Sequence, residues 1–228
     1  MRPINRGTIP PAPFKHYRDA FPALETNLGP YCSYCERQIE THLAIEHVQP
    51  KSKQKSLELT WDNFLLACTN CNSCKGDEDI VIDNYLWPDV NNLLLALNYH
   101  SSIITNALSQ NHPAHQHVHA LIKLVGLDKD PGNLDRKRKP EITDQRWKYR
   151  FETLNKATKT KQRLSGSDSE ALREQIVETA LSHGGFSIWF SVFLDDTDMC
   201  LRLITAFPGT AGDCFDNGRP IERPGALL

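Results

Sequence analysis

Two C-x-x-C pairs constrain this chain more than any other feature. Cys32-Ser33-Tyr34-Cys35 and Cys68-Thr69-Asn70-Cys71 are separated by 32 residues. A C-x-x-C turn can aim two sulfurs at one ion, and two such turns complete a tetrahedral zinc shell with no open position. A centre of that kind is structural, and its binding energy is part of the folding energy. Of 7 cysteines, these four and Cys74 crowd into two short segments. The odd count and the clustering fit a disulfide framework poorly. Structural Zn2+ on Cys32, Cys35, Cys68 and Cys71 is therefore the expectation. Cys71-Asn72-Ser73-Cys74 has the same spacing, so Cys71/Cys74 stays open as an alternative second pair. Cys200 and Cys214 are isolated and read as packing thiols.

Five prolines in residues 1–22 (Pro3, Pro10, Pro11, Pro13, Pro22) predict an extended arm. It gives way to a short helix around Tyr17–Leu28, stopped by Gly29-Pro30. His42–Val48 alternates enough for a strand. Lys51–Ser56 reads as a loop, and Trp61–Ala67 is the next apolar segment. Beyond residue 90, Leu93, Leu94, Leu97, Ile103, Ile104 and Leu108 recur at helical spacing. Further helices are expected at 114–125, with Gly126 as its stop, at 144–163 and at 169–183. Ser167 or Asp168 is the candidate N-cap of the last. Phe186–Leu194 fits a strand or a buried helix, its aromatic stripe belonging to the core. The end of the chain reads as irregular. The expected class is α+β: a zinc-stapled core followed by a mostly α-helical region. The expected divisions are an arm and helix at 1–30, the core at 31–90, and the helical region at 91–228.

The loop between the cysteine pairs holds Glu46-His47 and then Asn63. Asn72 and Lys75 follow in Cys71-Asn72-Ser73-Cys74-Lys75-Gly76-Asp77. This order, C-x-x-C, acidic-His, Asn, C-x-x-C-N-x-x-K, resembles the HNH endonucleases and implies their ββα-metal fold. Phosphodiester hydrolysis needs a positioned water, a base, and charge on the phosphate and leaving oxygen. His47 suits the base, because imidazole titrates near neutral pH. Glu46 is a hard oxygen donor suited to Mg2+ or Mn2+, although aspartate is also common there in this group. The resemblance makes Asn72 the second protein ligand of that ion, and Asn63 the brace that orients the base. Lys75 suits a phosphate contact.

Arg2-Pro3-Ile4, Tyr31–Glu36, Tyr85-Leu86-Trp87-Pro88-Asp89 and the Leu124–Arg136 stretch extend the likeness. Together they resemble the HNH subunit (PtuB) family of Septu anti-phage systems and its retron-associated relatives. That resemblance implies an ABC-type ATPase partner (PtuA), and in a retron setting a reverse transcriptase and its DNA. This chain has no Walker A pattern, so ATP chemistry would come from the partner.

Net charge is −2, and 24% of residues are charged. That total conceals a segment, residues 135–163, with eleven basic and four acidic residues. Together with Lys51, its Arg136, Lys137, Arg138, Lys139, Arg146, Lys148 and Arg150 are candidate nucleic-acid contacts, DNA favoured over RNA. A charge-complementary interface is the other reading of this segment. His115 and His119, one helical turn apart, read as surface residues. The apolar runs are short and Met1–Gly7 lacks a signal-peptide core, so a cytoplasmic chain with no membrane segment is expected. The competing class is a non-catalytic zinc-ribbon module, either nucleic-acid-binding or an adaptor.

Overall fold

The computed structural model describes residues 1–10 and 13–228. Pro11, one of the arm's prolines, lies outside the described residues. A 3-10 turn at Tyr17–Ala20 leads into α1 (Phe21–Leu28), which ends at Gly29 with φ of 75°. β1 (Ala44–His47) and β2 (Phe64–Ala67) form an antiparallel pair, and α2 (Thr69–Lys75) follows at once. All four residues of β2 are buried, because α1 packs against the same small sheet. This is the expected ββα unit.

The next stretch departs from the helical expectation. Leu93–Leu95 makes only a 3-10 turn, and β3 (Leu97–Asn98) pairs with β4 (Thr105–Asn106). Turn chemistry overrides the apolar spacing. Asn98 Oδ1 accepts from the His100 amide, and Ser101 Oγ accepts from that of Ile103, closing a hairpin loop. α3 (His115–Leu124) buries Val118, Leu121 and Ile122 as its pattern predicts.

Four helices complete the chain: α4 (Arg146–Gly166), α5 (Glu170–His183), α6 (Phe186–Val192) and α7 (Thr197–Ala206). The N-cap of α5 is Ser169, whose hydroxyl accepts from the Leu172 amide. Neither Ser167 nor Asp168 fills that place; Asp168 pairs with Arg173 instead. The aromatic segment resolves as a helix, with Phe186, Trp189, Phe190 and Phe193 in the core. α7 is an addition to the expected elements. Asp196 caps it, and it buries Met199, Cys200 and Leu203. A two-residue hairpin of β5 (Phe215–Asp216) and β6 (Arg219–Pro220) follows.

Apolar side chains collect in two clusters. One surrounds the ββα unit, α1 and α3, and the other fills the space among α4–α7. Arg2 ties them together. Its guanidinium donates to Leu28 O (2.8 Å) and Pro208 O (2.6 Å) and lies over the rings of Tyr31 and Phe207. Among the described residues no helix is long and apolar enough to cross a membrane.

Candidate active site and metal centre

The first cysteine pair sits on a tight turn before β1, hydrogen-bonded to β2 through Ser33 N and Leu66 O (2.7 Å). Cys68 is the extended residue that opens α2, and Cys71 lies in its first turn. Cys32, Cys35, Cys68 and Cys71 are all buried, with their sulfurs within 4.8 Å of one another. Cys35 Sγ and Cys68 Sγ are 3.7 Å apart. A tetrahedron with Zn–S bonds of about 2.3 Å puts its sulfurs about 3.8 Å apart, so these residues fit zinc. An all-sulfur set does not suit Mg2+ or Mn2+. Cys74 is outside the group; its sulfur accepts from Arg146 Nη2 at 3.4 Å. The second pair is thus Cys68/Cys71. Among the described residues this is the one cluster of three or more potential metal ligands, and the histidines of α3 form none.

In the β1–β2 register Glu46 faces Leu65 and His47 faces Phe64. Glu46 is 3% exposed, and its Oε1 lies 2.7 Å from Lys75 Nζ. Burial raises the Glu46 carboxyl above the ordinary range, and the Lys75 charge opposes the rise. His47 Nε2 is 3.0 Å from the Glu58 carbonyl oxygen. A carbonyl only accepts, so this contact assigns the proton to Nε2 and leaves the Nδ1 lone pair free. Burial lowers the His47 pKa, favouring the neutral base, while the Glu58 carbonyl works the other way. Tyr17 and Phe64 pack edge-on against the ring, each centroid 5.1 Å away.

Asn63 is buried and uses its whole amide to hold the loop after β1. Its Oδ1 accepts from Gln49 N (2.7 Å), and its Nδ2 donates to Gln49 O (3.0 Å) and Leu57 O (3.2 Å). Leu57 precedes Glu58, so Asn63 fixes the segment that orients His47.

Glu46, His47 and Asn72 line one cleft of about 340 Å³, with Lys51, Tyr17 and Asp77 on its walls. Lys51 Nζ stands 3.9 Å from the Tyr17 ring centroid. Tyr17 and Asp77 were not among the expected site residues. Asp77 closes the Lys75-Gly76-Asp77 run, but nothing in the chain marks Tyr17, which arrives from the arm.

Three expected contacts need correction. Lys75 is 1% exposed and donates to the His47 carbonyl (2.9 Å) as well as pairing with Glu46, so it faces the interior and not a phosphate. Arg146 is also 1% exposed: Asp144 grips it at 2.7 and 2.8 Å, and it donates to Val125 O (2.7 Å) and Cys71 Sγ (3.1 Å). Arg150 is buried on Ser102 O (2.6 Å) and Leu127 O (3.1 Å). Neither arginine is available to nucleic acid. Arg138 is half-buried and paired with Asp128. Arg136, Lys137, Lys139 and Lys148 are exposed. A wider groove of about 690 Å³ between α5 and α7 holds none of these residues.

Residues 32–78 match the model of the HNH endonuclease family. Over 62 residues the chain is 32% identical to Septu protein PtuB of Bacillus thuringiensis. That alignment covers 26% of this chain and 24% of the relative, so the match spans about a quarter of each. No solved structure matches. Cysteine centre, ββα unit and the family match meet in residues 32–78, and with the PtuB alignment they make the chain an HNH- and PtuB-like protein.

Proposed function

We propose that the chain is a metal-dependent endonuclease that hydrolyses phosphodiester bonds of nucleic acid, DNA favoured, in anti-phage defence. The observation that carries this reading is the convergence of the Glu46 carboxylate, the free Nδ1 of His47 and Asn72 on one cleft with Lys51 at its wall. Glu46 and Asn72 are oxygen donors of the kind Mg2+ and Mn2+ take. Such an ion, when bound, neutralises charge on the phosphate and the leaving oxygen. The chain's own residues do the rest. His47 Nδ1 takes the proton of the attacking water, the Glu58 carbonyl holds the ring, and Asn63 holds the neighbouring Leu57 carbonyl. Lys51 draws the phosphate toward the cleft. The PtuB likeness supports an ABC-type ATPase, PtuA, as the partner, with retron components as a further setting. A cytoplasmic place of action belongs to the same reading.

The test is cleavage of plasmid DNA and of RNA by the full chain, alone and with the ATPase, in Mg2+ or Mn2+. His47→Ala should lower cleavage at least about 100-fold, with zinc content and unfolding midpoint unchanged. Wild-type cutting by that variant would remove His47 from the mechanism. Phage protection by a cleavage-dead His47→Ala would favour the adaptor class.

A further inference from the structure

The metal centre is wrapped in arginine. A zinc tetrathiolate carries two negative charges, and burying them without countercharge is strongly unfavourable. Arg146 lies 3.1 Å from Cys71 Sγ through Nη1 and 3.4 Å from Cys74 Sγ through Nη2. Arg150 follows one turn along α4. Arg37, half-buried two residues after Cys35, reaches Asn70 Oδ1 at 3.5 Å between Cys68 and Cys71, with its guanidinium 6.0 Å from the Tyr149 ring centroid. Among the described residues neither Arg37 nor Arg150 has a carboxylate partner, and Arg146 has only Asp144. Arg146 and Arg37 thus bring guanidinium charge to the cysteine turns with Asp144 as their one carboxylate partner among the described residues. Glu46 and Lys75 already balance each other.

The pocket is also shaped for this guanidinium. Val125 O, at the C-terminus of α3, accepts from Nη1. At Gly126 (φ +65°) a Cβ would stand 2.9 Å from Cys74 Sγ and 3.2 Å from Arg146 Nη2. α3 therefore ends in a residue that leaves room for both.

We propose that Arg146, assisted by Arg37, is an outer-sphere positioning residue of the zinc centre. It donates to the Cys71 thiolate, offsets the centre's charge, and holds Cys74 out of the ligand set. A long helix more than seventy residues downstream thereby becomes part of the metal site. The inference concerns zinc and stands whether or not the cleft cuts nucleic acid.

The test uses the full chain loaded with Zn2+, and in parallel with Co2+ as an optical probe. Arg146→Met should transfer zinc to a chromogenic chelator at least about tenfold faster than wild type. Its thiolate-to-cobalt band should move to lower energy, because a thiolate that loses N–H donors holds its lone pairs less tightly. General loosening of α4 would not shift that band. Gln162→Ala, on the exposed face of the same helix, should change neither reading. Arg37→Gln should also speed zinc release, and it decides the matter if Arg146→Met does not fold. A wild-type band in folded Arg146→Met, or wild-type release from Arg37→Gln, would overturn the proposal.

Discussion

A buried lysine needs a countercharge, and Lys75 finds it in Glu46 at the end of β1. Glu46 lines the cleft and Lys75 does not, so Lys75 sets the position of the carboxylate from the buried side. Removing one partner leaves the other buried and uncompensated. Lys75→Met should therefore lower urea-unfolding stability by about 3–5 kcal/mol. Adding Glu46→Gln to the same chain should restore part of the loss. A loss below about 1 kcal/mol with a raised KM would return Lys75 to the phosphate role. That Glu46, His47 and Asn72 come to one cleft, with Asn63 bracing the loop beside it, was legible because their order relative to the cysteines is itself a signal. Lys75, Arg146 and Arg150 were not, because the identity of a cation says nothing about its burial. The groups that hold Arg146 include sulfurs 75 and 72 residues away.

α4 shows why elements read more easily than their faces. Its extent was plain from composition, but its buried stripe is Arg146, Arg150, Thr153, Ala157 and Leu164. The two arginines at its head make the inward face resemble a solvated one. The region around residues 93–108 misled in the opposite direction, since apolar spacing suited a helix while Asn98 and Ser101 made turns. α7 was concealed because it follows the aromatic helix after only a short turn and runs toward the glycine-rich end. The turn from α5 to α6 carries its own constraint. Gly184 has φ of +78°, and a Cβ there would lie 2.5 Å from Glu36 O and 2.6 Å from Gln38 N. Both are backbone atoms of the segment that leaves the first cysteine turn and cannot swing aside. Gly184→Ala should cost at least about 2 kcal/mol in denaturant unfolding and lower zinc retention. An unchanged midpoint would mean that the turn is free to move away from the cysteines.

At the scale of the molecule, charge is distributed by burial as much as by sequence. The segment at 135–163 is strongly basic, yet Arg146 and Arg150 spend their charge inside. What remains outside on α4 includes Lys148, Lys159 and Arg163, spaced along an exposed face. Under the proposed function these are the cations that follow a phosphate backbone. Replacing all three by alanine should reduce the slope of log Kobs against log salt by about 2–3 for duplex DNA, with zinc content unchanged. An unchanged slope would assign that face to a protein partner.

The arginine-lined metal centre also bears on how the chain is made. Synthesis runs from the N-terminus, so the four thiols leave the ribosome well before Arg146, and before the α5–α6 turn that braces Glu36. A nascent chain presents the thiols and Arg37 before Arg146 arrives to complete their charge complement. On the proposed role of Arg146, the zinc centre is complete only once α4 has been made. Under the proposed role of Arg146, a chain that ends before α4 should yield zinc to a chelator faster than the full chain.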